Sequence, residues 1–181
     1  MKFDKICILG APCVGKSTLI GELRTKFNTY SIHPQFNQTK KELFPNLEFK
    51  DLNSNQILEL SIKTIQNRIQ LEKKQKILLS EGGIIYDFAW IIYFTKYLLK
   101  KELDYSKIQK LILENIKNYN LIIYIPIEFE FIQRNKQFES KQSQKDINKI
   151  IQELLKQYKI NFITLTGSQI QRIESTIKII K

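Results

Sequence analysis

The residues best suited to chemistry lie near the amino terminus, in a short loop rich in small residues. In order, they are Gly10, Ala11, Pro12, Cys13, Val14, Gly15, Lys16, Ser17 and Thr18. Gly10 and Gly15 allow the chain to curl until successive amide N–H groups point into one cup that holds phosphate oxygens. Lys16 is expected to reach the β- and γ-phosphates, and the Ser17 hydroxyl to ligate Mg²⁺. This is the spacing of a P-loop, and it predicts that the chain binds a nucleoside triphosphate.

Two apolar segments flank this loop and would position it. Residues 6–9 form a short apolar run of the kind found in buried strands. After the loop, Leu19, Ile20, Leu23 and Phe27 recur at helical spacing. A helix should therefore begin at the loop and turn its positive amino-terminal end toward the same anion.

Strand-like and helix-like segments alternate along the rest of the chain. Further strand candidates cover 29–33, 77–80, 121–125 and 161–165. Helix candidates cover 16–27, 37–44, 54–75, 84–100, 104–118, 128–139, 144–158 and 168–180. Such alternation predicts an α/β fold with a mainly parallel sheet. Asn53 or Ser54 should cap the third helix, and Ser168 the last. No linker or internal repeat interrupts the pattern, so we assign one domain, 1–181.

A candidate acid follows the third predicted strand, at the edge where parallel sheets place their ligands. Glu81 could order Mg²⁺ through water or take a proton from an acceptor hydroxyl. Gly82 and Gly83 would leave room for a substrate to approach. The alternative is that Glu81 caps the next helix and the glycines only turn the chain. Its position at the tip of a buried strand favours the functional interpretation.

Two further side chains are candidates for contacts with an acceptor. Gln35 follows the second strand and could hydrogen-bond a sugar hydroxyl or a base edge. Asp87 lies inside an apolar, aromatic run, where burial without a partner would be costly. We therefore expect Asp87 to face a cavity, a cation or a substrate hydroxyl.

Basic side chains late in the chain could serve the phosphates and the base. Arg134 and Lys136 lie on the predicted helix 128–139 and could shield the charge that develops during phosphoryl transfer. A solvated basic face is the alternative. Gly167 and Arg172 follow the fifth strand, in a segment that could line the adenine pocket.

The composition limits the partners to expect. The formal net charge is +11, but the basic residues are spread along the chain, whereas a nucleic-acid surface is usually clustered. A polynucleotide 5′-hydroxyl kinase would account for this charge and stays an alternative. Cys7 and Cys13 look like reduced, cytosolic residues. Asp87 and Lys96 interrupt the apolar stretch 84–99, which is too short for a bilayer. We expect a cytoplasmic protein with no membrane partner.

With these residues, the chain resembles the ribosylnicotinamide-kinase-like group of P-loop proteins. That group is the AAA-type ATP-binding domain also found in bacterial NAD regulators of the NadR type, and it is related to nucleoside and nucleotide kinases. The similarity extends from residue 6 to residue 179 and is carried by five motifs. These are GAPCVGKSTL, Pro34-Gln35-Phe36, Glu81-Gly82-Gly83 followed by Asp87 and Tyr93, Tyr119-Asn120-Leu121, and the closing LTG followed by QRIESTI.

The resemblance implies a three-layer P-loop NTPase sandwich with a five-stranded parallel sheet in the order 2-3-1-4-5. It also implies ATP and Mg²⁺ as cofactors and transfer of the γ-phosphoryl group to a hydroxyl of a small nucleoside-like or nucleotide-like acceptor. Lys16, Glu81 and Arg134 would then be catalytic, and Ser17 and Glu81 would hold the metal. Residues 10–18 with Gly167 and Arg172 would bind ATP, and Gln35, Asp87 and Lys136 would bind the acceptor.

The chain departs from this family at several positions. Gly82 stands where the family tends to have arginine, Gln35 where it tends to have glutamate, and Lys136 and Lys145 where it has arginines. Lysine shields charge but lacks the two-pronged guanidinium of arginine. A non-catalytic ATP-binding regulatory module is therefore a second hypothesis. The aromatic helix near residue 90 could bury a face against a second copy of the chain, so a homodimer is also compatible with the sequence.

Overall fold

Strands and helices alternate in the computed structural model, which describes residues 3–33, 52–132 and 140–181. Within these ranges, the strands are β1 Lys5–Gly10, β2 Ser31–His33, β3 Leu78–Glu81, β4 Leu121–Ile125 and β5 Ile163–Thr164. The α-helices are α1 Lys16–Lys26, α2 Ser54–Lys73, α3 Gly83–Ile92, α4 Ser106–Asn115, α5 Lys141–Gln157 and α6 Gln169–Ile180. A π-helical segment, Tyr93–Leu98, continues α3, and a 3₁₀ turn, Ile116–Asn118, follows α4.

The strands form one parallel sheet in the order β2-β3-β1-β4-β5, which confirms the predicted order. β1 lies at the centre, and its register sets Ile8 beside Glu81 and Gly10 beside Ile125. The loop that leaves β1 therefore emerges between the carboxyl ends of β3 and β4. This is the sheet edge at which the sequence placed the candidate site.

Both faces of the central strands β1, β3 and β4 are buried, as is typical of a parallel sheet. Ile6 and Ile8 point into one core with the apolar side chains of α1 and α6. Cys7 and Leu9, which alternate with them, point into a second core with α2, α3, α4 and α5. The central strand is therefore apolar at every one of these positions, and the fold is the predicted three-layer sandwich.

Helix starts follow local capping chemistry. The Asn53 side chain accepts from the Gln56 N–H at the start of α2, and the Ser168 side chain accepts from the Gln171 N–H at the start of α6. Both predicted caps are thus confirmed. α5 begins at residue 141, three residues before its predicted start, because Ser140 forms a reciprocal capping box with Ser143.

One predicted helix differs from the structure, and one lies outside it. Residues 128–132, the start of predicted helix 128–139, are not helical. The Glu128 carboxylate accepts from Arg172 and from the Gly167 N–H, and the Phe129 ring packs over the Arg172 guanidinium. These tertiary contacts take the place of the predicted helical conformation. The predicted helix 37–44 lies outside the described residues. Within the described part of the chain, no helix has the length and apolar character that a membrane span requires.

Candidate active site

The loop between β1 and α1 has the tight backbone that its glycines predicted. Gly15 has a φ of 93° and directly precedes α1, and Cys13 has a φ of 59°. Gly10 has a φ of 154°, and a Cβ built there would lie 2.5 Å from the Ile125 carbonyl oxygen. Gly10 therefore allows the loop to leave β1 in close contact with β4. No other residue fits this position without moving one of the two strands.

We expect the substitution Gly10→Ala to damage the loop. The added methyl group meets backbone rather than a flexible side chain, so the substitution should destabilise the fold by about 1–3 kcal/mol and weaken ATP binding. Urea denaturation and titration with ATP measure the two effects. Gly21→Ala is the matched control, because Gly21 lies in α1 with open space around its Cβ position. That change should stabilise the protein by up to about 1 kcal/mol. If both variants changed stability and ATP affinity to the same extent, the role assigned to Gly10 in the loop would be contradicted.

The Lys16 side chain folds back over the loop. It is 2% exposed, its Nζ donates to the Ala11 carbonyl oxygen at 2.7 Å, and it lies 4.5 Å from the centroid of the Tyr86 ring. A cation held against a carbonyl oxygen and an aromatic face is partly compensated for its loss of water. The sequence indicated only an apolar, aromatic run around this ring, so its contact with Lys16 was not predicted. Tyr86 is buried, and it also forms one wall of the site.

Ser17 and Glu81 meet, as the sequence predicted. The Ser17 hydroxyl donates to Glu81 Oε1 at 2.5 Å, although the two residues lie 64 positions apart. The Gly82 N–H donates to the Ile8 carbonyl oxygen at 2.8 Å, which holds the end of β3 against β1. A hydroxyl and a carboxylate side by side are the hard oxygen ligands that Mg²⁺ prefers, and Mg²⁺ commonly takes only one or two carboxylates from a protein. The donor set therefore fits a magnesium ion.

The glycines after Glu81 serve packing. α3 has Gly82 as its N-cap residue, and the Glu81 carboxylate accepts from the Ser17 hydroxyl, a contact that favours the functional interpretation of Glu81. A Cβ at Gly82 would lie 2.7 Å from the Tyr86 side chain, and one at Gly83 would lie 2.6 Å from Cys7 Sγ. Side chains of the protein therefore fill the room that we expected these glycines to leave for a substrate. The glycines let α3 approach the sheet closely.

Asp87 has the cation that its burial demanded. It is completely buried and accepts a hydrogen bond from Arg68 Nε, while the Arg68 Nη1 donates to Glu72 Oε1 at 2.9 Å and to the Ser80 hydroxyl at 3.1 Å. Tyr119 donates its hydroxyl to Glu72 Oε2 at 2.5 Å and accepts from the Ile84 N–H. We call Arg68, Glu72, Ser80, Asp87 and Tyr119 the buried cluster. It joins α2, α3 and β3 behind Glu81.

The buried cluster holds two carboxylates and one guanidinium, and this imbalance affects the acid groups. Burial raises the pKa of Asp87 to about 6, and the positive charge of Arg68 only partly opposes that rise. Burial, together with the nearby Glu72, also raises the pKa of the Tyr119 hydroxyl. Among the described residues, Asp87 Oδ1 has no hydrogen-bond partner. Contact between this oxygen and a hydroxyl of the molecule that receives the phosphoryl group stays a prediction.

Arg172 contacts the outside of the phosphate loop. Its Nη1 donates to the Val14 carbonyl oxygen at 2.8 Å, and its Nη2 donates to Glu128 Oε2 at 2.6 Å. The Gly167 N–H donates to the same Glu128 oxygen at 2.9 Å. On the other side of the loop, Gln144 Nε2 donates to the Pro12 carbonyl oxygen at 2.8 Å. The sequence singled out Gly167 and Arg172 for an adenine pocket, which stays a prediction, and gave no sign of the contacts of Glu128 and Gln144.

Several predicted residues cannot be added to this site. Gln35, Arg134 and Lys136 lie outside the described residues. Arg68, which the sequence analysis did not assign, had one available signal: it is one of only four arginines in a chain rich in lysine. An arginine at a buried position of a helix indicates a site where several of its donors are used together.

A parallel sheet in this order, whose central strand runs into such a loop, defines a P-loop nucleotide-binding protein. A family model described as "AAA domain" matches residues 5–172, and the chain belongs to that family. The resemblance drawn from the sequence, to NadR-like P-loop proteins, is thereby confirmed. Among curated proteins, none matches this chain.

Solved structures support the same fold. NadR in complex with NR is 16% identical with a TM-score of 0.69, over 97% of this chain and 50% of that one. Thymidylate kinase from Candida albicans is 15% identical with a TM-score of 0.64, over 97% and 89%. Deoxyadenosine kinase from M. mycoides with bound dCTP is 17% identical with a TM-score of 0.58, over 97% and 98%. The chain thus spans half the length of the NadR chain.

Proposed function

We propose that this protein transfers the γ-phosphoryl group of ATP, bound with Mg²⁺, to a hydroxyl of a small nucleoside-like or nucleotide-like acceptor. The proposal rests on one observation. The Ser17 hydroxyl and the Glu81 carboxylate lie 2.5 Å apart, at the start of α1 and beside the loop that holds Lys16. A triphosphate needs a cup and a metal site next to each other, and here the loop that leads to Ser17 lies beside the end of β3 at Glu81.

Each residue has a role that follows from its position. Ser17 and Glu81 would hold Mg²⁺, which when bound neutralises charge on the phosphate oxygens. Lys16 would leave the Ala11 carbonyl oxygen for the β- and γ-phosphates, since a phosphate is the stronger partner for an ammonium group. Glu81 could also accept the proton of the attacking hydroxyl. Arg134 and Lys136 are proposed to cover the transferred group, and Gln35 and Asp87 to position the acceptor.

The relatives support this class of acceptor. NadR is described in complex with NR and, separately, with NAD and AMP-PNP, and the other similar structures include deoxyadenosine and thymidylate kinases. Nucleosides and nucleotides are therefore the first acceptors to test. The alternative is an ATP-binding regulatory module without turnover.

A transfer assay distinguishes these functions. The protein is incubated with Mg²⁺, with ATP that carries a radiolabel in its γ-phosphoryl group, and with a panel of nucleosides, nucleotides and ribosylated vitamins. A 5′-hydroxyl oligonucleotide is tested in a separate arm. We expect label to appear on at least one small acceptor, and Lys16→Ala to abolish it. Label on the oligonucleotide alone would favour a polynucleotide kinase. Stoichiometric ATP binding with no transfer to any acceptor would favour the regulatory module.

A further inference from the structure

Two buried side chains outside the phosphate loop donate to its carbonyl oxygens. Gln144, on α5, donates to the Pro12 oxygen, and Arg172, on α6, donates to the Val14 oxygen, each at 2.8 Å. The two side chains are 2% and 4% exposed, respectively. They lie 132 and 158 positions from the carbonyl groups that they contact. The loop is thus held by two helices that follow it much later in the chain.

These contacts fix the direction of amide groups that the side chains do not touch. A trans peptide is planar, so its carbonyl and its N–H point in opposite directions. A carbonyl held toward Gln144 turns the N–H of Cys13 away from α5, and one held toward Arg172 turns the N–H of Gly15 away from α6. Both N–H groups belong to the stretch that forms the phosphate cup. Without these donors, either peptide could rotate at little cost and the cup would have to be formed on binding.

Arg172 is itself held in place. Glu128 accepts from its Nη2, and the Phe129 ring lies 5.0 Å from the guanidinium carbon. The hydrogen bond from Arg172 also holds the pKa of the Glu128 carboxyl below its usual range, so the pair is charged at neutral pH. With its Nη1 on Val14 and its Nη2 on Glu128, Arg172 faces the loop backbone and a carboxylate.

We propose that Gln144 and Arg172 are positioning residues that preform the phosphate cup before a nucleotide arrives. Their effect is on the polyphosphate and not on the base. This role differs from the base-pocket role that the sequence suggested for Arg172. It rests on the nucleotide-binding half of the proposed function and does not require phosphoryl transfer.

The test compares ATP with inorganic tripolyphosphate, which has no base. Calorimetric titration at constant Mg²⁺, well below the melting temperature, is applied to the wild type and to Gln144→Met, Arg172→Met and Arg172→Lys. Methionine keeps much of the length of each side chain but donates no hydrogen bond. Gln142→Met is the matched control, because Gln142 is exposed on the same helix and bonds only to Asp146 among the contacts described.

We expect Gln144→Met to lower the affinity for both ligands by about three- to tenfold. Arg172→Met should lower both affinities by about ten- to a hundredfold, because a charged donor is lost. Arg172→Lys should lie between Arg172→Met and the wild type, and Gln142→Met should match the wild type. Loss of ATP affinity with unchanged tripolyphosphate affinity would assign Arg172 to the base and overturn the proposal. Unchanged affinity for both ligands would overturn it as well.

Three further outcomes complete the test. If the Arg172 variants do not fold, as judged by circular dichroism, Gln144→Met alone decides the proposal by the same criterion. If the wild type binds neither ligand, the proposal fails together with nucleotide binding. If the wild type binds both but transfers no phosphoryl group, only the proposed kinase activity fails.

Discussion

The substitution Glu81→Gln is expected to lower phosphoryl transfer by about 10²- to 10⁴-fold. Glutamine has nearly the same shape, so the fold and the backbone contact between Gly82 and Ile8 should persist. The amide, however, carries no charge for Mg²⁺ and cannot take a proton from the acceptor. Turnover at saturating ATP and acceptor measures the loss. Glu59→Gln, at an exposed position on α2, is the control and should leave turnover unchanged.

The same variant can separate the two roles of Glu81. If the carboxylate mainly holds Mg²⁺ with Ser17, the Mg²⁺ concentration for half-maximal activity should rise, and ATP affinity without metal should stay within about threefold of the wild type. If it mainly acts as a base, that concentration should change little, while turnover at saturating Mg²⁺ still falls. Turnover equal to that of the wild type would contradict both roles of Glu81.

The sequence predicted the parts of the site that depend on local pattern. The loop from Gly10 to Ser17 combines glycine positions, one lysine and one hydroxyl at fixed spacing, and its chemistry is mostly that of the backbone. The meeting of Ser17 with Glu81 followed from topology, because parallel strands end at one edge of the sheet. Neither inference required knowledge of how the helices pack.

The contacts that sequence reasoning missed join elements far apart in the chain. Gln144 reaches Pro12, and Arg68 reaches Asp87, through the way α5, α2 and α3 lie on the sheet. No spacing rule links such pairs. Glu128 was missed because the apolar residues after it have a spacing that indicated a helix, whereas the segment is held by Arg172 and Gly167. The polar side chains around the site therefore depend on tertiary packing.

The substitution Arg68→Met should strongly destabilise the protein. Arg68 is completely buried, and its guanidinium is the cation between Asp87 and Glu72. Methionine fills part of the volume but leaves two carboxylates facing each other without a counter-charge. Loss of one partner from a buried ion pair typically costs 3–5 kcal/mol, so we expect a decrease of about that size in the free energy of unfolding. Urea denaturation at pH 7.5 measures this decrease, and the dependence of the free energy of unfolding on urea concentration should be unchanged.

The control for this prediction lies on the same helix. Lys63 and Glu59 form an ion pair at 2.8 Å on α2, but both side chains are more than half exposed. Lys63→Met should therefore leave the free energy of unfolding almost unchanged. If Arg68→Met lost as little stability as Lys63→Met, the two carboxylates would not be charged together in the native state, and the ion pairing described for the buried cluster would be contradicted.

Rescue experiments test the cause of the destabilisation. If excess negative charge is responsible, then Asp87→Asn introduced into Arg68→Met should restore part of the lost stability, because one carboxylate is removed. Lowering the pH should also reduce the stability difference between Arg68→Met and the wild type. The pKa of Asp87 is already about 6 with Arg68 present, so at pH 5 this carboxyl is largely protonated and the difference between variant and wild type should narrow. If the difference instead stayed constant from pH 5 to pH 7.5, the loss would come from packing around the methionine, and Arg68 would matter for its shape more than for its charge.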